Sequence, residues 1–162
     1  MVEFFPSPLE KRILKLYTRH GIRTPGDITL YVFDYVLPVH VVYRAGSALA
    51  IDTDYEHTVF VDGHLSLPER RVRVAHEIGH LLLHSGVQIW TPPVWRGKQE
   101  WQAARFAMYA LAPSPMLLKE IRGVKYECRG AMVADLAELF GITESFMDER
   151  LHVLGQQIAG DR

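Results

Sequence analysis

Residues 74–84, which read VAHEIGHLLLH, constrain the fold of this chain more than any other segment, because they contain the pattern H-E-x-x-H. If the segment is helical, His76 and His80 lie on one face with their Cβ atoms roughly 6 Å apart. Two imidazoles so placed can bind one tetrahedral zinc ion, and Glu77 beside them can act as a base toward water. A five-residue motif can also arise by chance, so its meaning depends on the flanking sequence.

The flanking residues predict a buried helix over 66–85. Ser66 with Glu69 three residues later forms a capping box at the start, and Ser85-Gly86 is typical of a helix end. Most of the helix surface is apolar. Ionisable side chains on such a helix are costly to bury unless they are paired or bind an ion. We therefore interpret its polar residues as a metal-binding site. The alternative is that the histidines only form hydrogen bonds within the core. They form one narrow stripe: Glu69, Arg73, His76, Glu77, His80 and His84.

The composition is that of a globular protein long enough for one domain with a proper core. The chain has 162 residues, of which 48% are hydrophobic and 23% charged, with a net charge of −1. A net charge near zero does not indicate binding to nucleic acid or to an anionic membrane. No apolar run approaches the ~18 residues of a membrane helix. Cys128 is the sole cysteine, and the N-terminal residues lack the pattern of a signal peptide. We therefore expect a cytoplasmic protein without disulfides.

The first 64 residues are predicted to form a helix followed by strands. Ser7-Pro8-Leu9-Glu10 has the pattern of a capped helix start with proline at the first position, which indicates a helix over 7–20. Residues 24–37 are compatible with a strand or with a short helix capped by Asp27, and we favour the helix.

A small antiparallel sheet is predicted from three short β-rich segments separated by turn residues. Its edge strand, beside an H-E-x-x-H helix, can hold an extended peptide by backbone pairing. Histidines in or next to these strands show no ligand spacing, so we expect them at the surface or the sheet edge. The strands are predicted at 39–43, 47–51 and 58–61, and the histidines are His40, His57 and His64.

A long connection is predicted over 85–98, and a helix over 99–112. Trp90 and Trp95 lie on this connection, where they either form part of a substrate groove or cover the core. Pro113 and Pro115 are interpreted as the end of the helix.

A catalytic zinc ion needs a third protein ligand and leaves its fourth position to water. His84 continues the polar stripe, but it lies eight residues after His76, about 12 Å along a straight helix, so one ion cannot easily be shared by both. Glu100 follows His80 by twenty residues on a separate predicted helix. We favour Glu100 as the third ligand and assign His84 a supporting or substrate-facing role.

Residues 131–154 predict two helices joined at Gly141, in a helix-turn-helix-like element. A DNA-binding second helix would present basic side chains to phosphates. This one carries Glu144, Asp148 and Glu149 against Arg150. We therefore expect no direct nucleic acid binding and interpret the element as a packing unit or a docking surface for a protein.

These motifs together resemble the ImmA/IrrE metallopeptidases, and the resemblance extends over most of the chain. Members of that family are bacterial or phage-borne zinc-dependent proteins, and the best-understood ones cleave or inactivate helix-turn-helix repressors. The residues that carry the resemblance are HEIGHLLLH and then Glu100, Gln102, Ala103, Phe106, Ala107, Leu111 and Pro113 at the family's spacing.

The resemblance implies an α+β fold: a single zincin-like domain over 1–162 with an antiparallel sheet against the metal helix and a helical C-terminal half. It implies one zinc ion held by His76, His80 and Glu100, with Glu77 as the catalytic base. A further donor to the transition state, or a support for the ligands, is expected from among His84, Arg105 and Tyr109, and the sequence does not choose among them.

The expected activity is hydrolysis of a peptide bond in a protein substrate, in particular a helix-turn-helix repressor. Two departures from the family's pattern motivate an alternative. Ala104 stands where the family usually has Asn or Asp, and residues 110–113 read ALAP where it usually has LLMP. Loss of a hydrogen bond behind a metal ligand costs 10–100-fold in metal affinity or activity. The alternative is therefore a catalytically weak or inactive regulator that keeps the fold and binds a partner. Nothing in the sequence indicates an oligomeric state.

Overall fold

A computed structural model describes residues 4, 6–30, 32, 39–52, 57–84 and 93–159, and it confirms the predicted α+β class. Among these residues the strands lie within 39–62, and helices occupy most of 67–159. The chain divides into two compact units, residues 29–107 and residues 1–28 with 108–162. The assignment of the whole chain to one domain stays a prediction. The described part contains no helix that is both long and apolar enough to cross a membrane.

The sheet has three strands, β1 (Val39–Arg44), β2 (Leu49–Asp52) and β3 (His57–Asp62), in the order β1-β3-β2. The β2–β3 pair is antiparallel as predicted, but β1 and β3 are parallel, so the expectation of a wholly antiparallel sheet is wrong. The chain leaves β1, forms β2 at the far edge and turns back into the middle. Turn residues such as Gly46, with φ +115°, mark where the chain bends but do not determine which strand becomes the neighbour.

One face of this sheet packs on helix α2 (Leu67–Leu83). Val59 and Val61 of β3 are fully buried, whereas Leu49 and Ile51 of β2 are exposed, as expected for strands with alternating environments. His64 follows the sheet at the surface, as predicted, and its Nδ1 lies 2.9 Å from Asp62 Oδ1.

Helix α2 begins as the sequence predicts. The Ser66 hydroxyl accepts a hydrogen bond from the Glu69 N–H, and the Glu69 carboxylate accepts from the Ser66 N–H. The apolar side of the helix is buried through Val74, Ala75 and Ile78. The helix ends at Leu83, and the predicted stop at Gly86 lies outside the described residues.

Helix α3 (Pro93–Leu111) begins six residues earlier than predicted. Trp95 is therefore part of a helix and 60% exposed, so the prediction that places it on a loop is wrong. Proline is tolerated in the first turn of a helix, because the N–H that it lacks would have no partner there, and Pro93 is the first residue of α3. The rest of the predicted connection, 85–92 with Trp90, lies outside the described residues.

Of the ambiguous segment 24–37, residues 24–30 and 32 are described, and they contain a short 3-10 helix, Pro25–Asp27. The prediction that Asp27 caps the start of a helix is wrong, because Asp27 is the last residue of this one and its carboxylate accepts hydrogen bonds from the N–H groups of Arg23 and Thr24.

Besides the 3-10 helix Pro25–Asp27 and the end of α3, the described residues of the second unit form four α-helices. Helix α4 (Ser114–Gly123) was not predicted, because Pro113 and Pro115 suggested a helix end, whereas Pro115 lies in the first turn of this helix. The predicted pair around Gly141 is present, and Gly141 adopts the left-handed conformation with φ 62°. The four helices are α1 (Pro8–Arg19), α4 (Ser114–Gly123), α5 (Arg129–Phe140) and α6 (Glu144–Ala159).

A buried ion pair joins α1 to α6 in this unit. Glu10 Oε1 accepts a hydrogen bond from the Ser114 N–H at 2.7 Å and lies 3.5 Å from Arg150 Nη2. Arg150 also donates to Ala112 O at 2.9 Å and to Ser114 Oγ at 2.6 Å. Both charged side chains are 0% exposed. Glu10 thus departs from the capping role that its position after Ser7 suggests, because its carboxylate serves as the buried partner of Arg150.

Candidate metal centre

The candidate site is built by two helices of the unit formed by residues 29–107. His76 and His80 lie one turn apart on α2, as their four-residue spacing requires. Glu100 lies well inside α3 rather than in its first turn, because that helix begins at Pro93. The structure therefore brings together the three residues that the sequence analysis selects as ligands.

The donor atoms of these three residues converge. His76 Nε2 lies 3.1 Å from His80 Nε2 and 3.1 Å from Glu100 Oε2, and His80 Nε2 lies 3.4 Å from Glu100 Oε1. Ligands of a tetrahedral zinc ion, each about 2 Å from the metal, stand about 3.3 Å from one another. The spacing and the chemistry of the donor set both fit a zinc ion.

The electrostatics favour the form of histidine that binds metals. Burial lowers the pKa of His76, although the Glu100 carboxylate opposes the change. Burial likewise lowers the pKa of His80, again against the influence of Glu100. A lowered pKa keeps the imidazoles neutral near pH 7, and a neutral imidazole nitrogen is the metal ligand.

Glu77 lies next to the ligands in sequence and is only 9% exposed. Burial raises the pKa of its carboxyl group, Arg73 acts to lower it, and Glu100 raises it further. A carboxyl group with a raised pKa exchanges protons closer to neutral pH, which suits a general base. The role of Glu77 as the catalytic base stays a prediction, and the direction of its pKa shift is compatible with that role.

His84 does not continue the helix, since α2 ends one residue before it and His84 has extended backbone angles. Its ring is close to that of His80, with centroids 5.5 Å apart, but it does not belong to the converging donor group. Its Nε2 lies 3.2 Å from the backbone carbonyl oxygen of Gln99, the residue before Glu100. The supporting role assigned from the sequence stays a prediction, and the structure supplies a specific contact for it.

The two other predicted donors have different surroundings. Arg105 is half-buried, with its guanidinium 5.1 Å from the centre of the Trp101 ring. Tyr109 belongs to the other unit, where its hydroxyl accepts a hydrogen bond from Gln157 and its ring lies 5.1 Å from the Arg150 guanidinium. Neither contact involves His76, His80 or Glu100.

Two features of the site could not be predicted from the sequence, because neither depends on a recognisable pattern of residue types. Gln99 takes part through its backbone carbonyl, which every residue type has, so no sequence pattern marks it. The Nδ1 atom of His80 is buried, and no described residue forms a hydrogen bond with it. A metal-binding histidine usually donates from its second nitrogen to a carbonyl or carboxylate that orients the ring.

Comparison with known proteins adds three findings. A peptidase family model, described as the IrrE N-terminal-like domain, matches residues 36–152. The phage-like element PBSX protein XkdA of Bacillus subtilis (strain 168) is 28% identical over 155 residues, which cover 95% of this chain and 76% of that protein. A solved structure described as a Mycobacterium tuberculosis transcriptional regulator matches 88% of this chain with a TM-score of 0.63. Its 17% identity shows a shared fold alone, and this chain spans 46% of its length.

Proposed function

Because the chain belongs to the peptidase family of the IrrE N-terminal-like domain, we propose that it is a zinc-dependent metallo-endopeptidase acting on a protein. The observation that carries the proposal is the convergence of His76, His80 and Glu100, whose donor atoms all lie within 4.8 Å of one another. Two neutral imidazoles and one carboxylate are the ligand set of many catalytic zinc sites.

In this proposal His76 and His80 hold the ion from one helix and Glu100 holds it from the next. Zinc bound there would supply Lewis-acid activation of water and of the scissile carbonyl. Glu77 accepts a proton from the attacking water and delivers it to the leaving amine nitrogen, so that one carboxyl group serves as base and then as acid. Its buried position favours this exchange, because burial raises its pKa toward neutral.

The sheet offers a place for an extended substrate. Strand β2 lies at an edge of the sheet and packs against the helix that bears His76 and His80. An edge strand can pair with an extended peptide through its backbone, and alternate side chains of the peptide then select the sequence. We propose that the substrate adds to the sheet at β2.

For the substrate itself we propose a helix-turn-helix transcriptional repressor in the cytoplasm. The resemblance to the ImmA/IrrE metallopeptidases supports this class, and the relative from a phage-like element is consistent with a gene-control setting. The acidic exposed residues of α6, Glu144, Asp148 and Glu149, support contact with a protein partner rather than with DNA.

The test measures bound zinc and substrate cleavage for the wild type, Glu77→Gln and His80→Ala. We expect Glu77→Gln to keep its zinc and to lose cleavage by about 10²–10⁴-fold, the usual contribution of a general base. We expect His80→Ala to lose both. Unchanged zinc content in His80→Ala would show that the metal ligands are wrongly assigned.

A second candidate function is a regulator that keeps the fold and binds its partner without cleaving it. The buried Nδ1 of His80, which has no hydrogen-bond partner among the described residues, favours a weaker metal site. Recovery of an intact repressor, in equal amounts with the wild type and with Glu77→Gln, would support this second function. Recovery of an intact repressor with Glu77→Gln and of fragments with the wild type would support the peptidase.

A further inference from the structure

We infer that His84 is a positioning residue. It holds the backbone of α3 next to Glu100 against α2, the helix that bears His76 and His80. The inference rests on the proposed metal site and adds a residue to it. His84 Nε2 lies 3.2 Å from Gln99 O, and Gln99 directly precedes Glu100. The bond therefore joins the end of α2 to the backbone that carries the third ligand.

The direction of this hydrogen bond follows from chemistry. A backbone carbonyl oxygen only accepts, so His84 Nε2 must carry the hydrogen and donate it. The carbonyl oxygen has two lone pairs and can accept this bond in addition to the one of its own helix. The ring of His84 is half-buried, which shields the bond from competing water.

The backbone of His84 suits this role. The His84 N–H donates to His80 O at 3.0 Å, which ties His84 to the last turn of α2, and its extended angles turn the chain out of the helix. If His84 were helical, its side chain would continue the polar stripe along α2. With its extended backbone, the side chain contacts α3 at Gln99 instead. The same residue is thereby anchored to the ligand His80 through its backbone and to the neighbour of Glu100 through its ring.

Glu100 needs such support because its own side chain is exposed. The side chain is 51% exposed, against 19% for His76 and 5% for His80, so it is the ligand held least by packing. A ligand that is free to move loses conformational entropy when it binds a metal. The His84 bond holds the α3 backbone at Gln99 against the end of α2 and so sets the distance from which the Glu100 side chain reaches the two histidines. Removal of this bond is therefore expected to weaken metal binding.

The experiment compares His84→Leu, His84→Gln and the wild type for binding of Co²⁺ in competition with a chromophoric chelator. Leucine fills similar space without a hydrogen bond, and glutamine places an N–H donor where Nε2 lies. We expect His84→Leu to bind Co²⁺ about 10–100-fold more weakly, as when other groups that orient metal ligands are removed. We expect His84→Gln to recover most of that loss, and the visible absorption spectrum of bound Co²⁺ to change in His84→Leu and return toward the wild type in His84→Gln.

His152→Leu is the matched control. His152 is an exposed histidine on α6 whose Nε2 lies 3.0 Å from Gln156 Nε2, far from the site in sequence and in the other unit. Its substitution should leave the Co²⁺ affinity and spectrum unchanged. Far-ultraviolet circular dichroism of each metal-free variant shows whether the fold is retained, and His84→Gln remains a test if His84→Leu does not fold.

The outcomes separate this inference from the proposed function. Wild-type affinity and spectrum in His84→Leu would overturn the positioning role and leave the metal site standing. An equal loss in His84→Leu and His84→Gln would also overturn it, since a donor at the same place would then be insufficient. Absence of Co²⁺ binding by the wild type would overturn the proposed function and this inference together.

Discussion

Gly79 of α2 and Ala103 of α3 bring the backbones of their helices into contact. A Cβ atom built on Gly79 would lie 3.0 Å from both the Cα and the carbonyl oxygen of Ala103, and 3.2 Å from the Cβ of Phe106. The contact lies one residue before His80 and three residues after Glu100 in sequence. The distance between the histidines and Glu100 therefore depends on the absence of a side chain at 79.

Gly79→Ala should destabilise the protein, although alanine is the better helix former. The added methyl group forces α2 and α3 apart, and overpacking of this kind costs about 1–3 kcal/mol in the free energy of unfolding. The same displacement should weaken zinc binding, because Glu100 moves away from His76 and His80. Urea denaturation and zinc titration measure the two effects.

Gly97→Ala is the control for that substitution. Gly97 also lies in α3, but a Cβ atom there would meet nothing within 4 Å. We expect Gly97→Ala to be neutral or to stabilise the helix by up to about 1 kcal/mol. Equal destabilisation by both substitutions would contradict the importance of the close approach at Gly79.

Zinc should stabilise the folded protein, because the folded state alone brings the three donors together. At a free zinc concentration of 100 times the dissociation constant, the gain in the free energy of unfolding is about 2.7 kcal/mol. A chelator should reverse the accompanying rise in Tm. In His80→Ala the rise should disappear, whereas His152→Ala should behave as the wild type. A zinc-dependent Tm that survives in His80→Ala would place the ion elsewhere.

Arg150→Met should leave Glu10 as a buried carboxylate without its cation. Breaking a buried ion pair by removing one partner costs about 3–5 kcal/mol. Adding Glu10→Gln should recover part of that cost, since glutamine keeps an oxygen for the Ser114 N–H and carries no charge. Chemical denaturation of the two variants measures the difference, and the interpretation fails if the double variant is the less stable of the two.

The surface pair Arg129–Asp148 provides a comparison for the buried pair. The two side chains are 56% and 55% exposed, with Arg129 Nη2 2.7 Å from Asp148 Oδ1. An exposed ion pair contributes under about 1 kcal/mol, because water and salt screen it. We therefore expect Arg129→Met to change the free energy of unfolding far less than Arg150→Met.

The capping box of α2 should make part of the stability depend on acid pH. Hydrogen bonds from the Ser66 hydroxyl and N–H lower the pKa of Glu69 below its ordinary value of 4.5. The folded state thus holds its Glu69 proton more weakly than the unfolded state. The resulting stability is present above about pH 4.5 and is lost as the pH falls through the lowered pKa.

Thermal denaturation of Glu69→Gln tests this dependence. The variant should have a lower Tm than the wild type at pH 7, and the difference should shrink toward zero in acid as the wild-type carboxylate takes up its proton. Glu149→Gln, at an exposed glutamate outside any capping box, should show no such convergence. A Tm difference for Glu69→Gln that is independent of pH would argue against the capping bond.

Local patterns were sufficient to predict the helix of His76 and His80 and the residues that meet there. The capping box at Ser66 defines the helix start, and the four-residue spacing of the histidines sets their common face. Glu100 was chosen by elimination of His84 along the helix axis, and the structure brings its carboxylate to both imidazoles. The common face of His76 and His80 was predictable because a helix converts sequence spacing directly into distance. The role of the three residues as metal ligands stays a prediction.

The features that were missed depend on partners that are distant in sequence or on atoms that all residues share. β1 pairs with β3 in parallel because β2 lies at the far edge of the sheet. The turn residues do not determine the position of β2. Pro93 and Pro115 lie in the first turns of α3 and α4, but proline is equally compatible with a loop or a helix end, so neither helix start was predicted. Glu10 matched a local capping pattern, but its partner Arg150 lies 140 residues away. Gln99 contributes only a carbonyl group.

The pairing of Glu10 with Arg150 also sets an order for folding during synthesis. Residues 29–107, which contain the candidate metal centre, are continuous in sequence, whereas the other unit combines residues 1–28 with 108–162. Translation produces Glu10 140 residues before Arg150. During most of translation the glutamate has no arginine to pair with, and burying it alone would be unfavourable. Glu10 therefore cannot be buried with its partner until α6 has been synthesised, whereas residues 29–107, which contain the candidate metal centre, are complete before then.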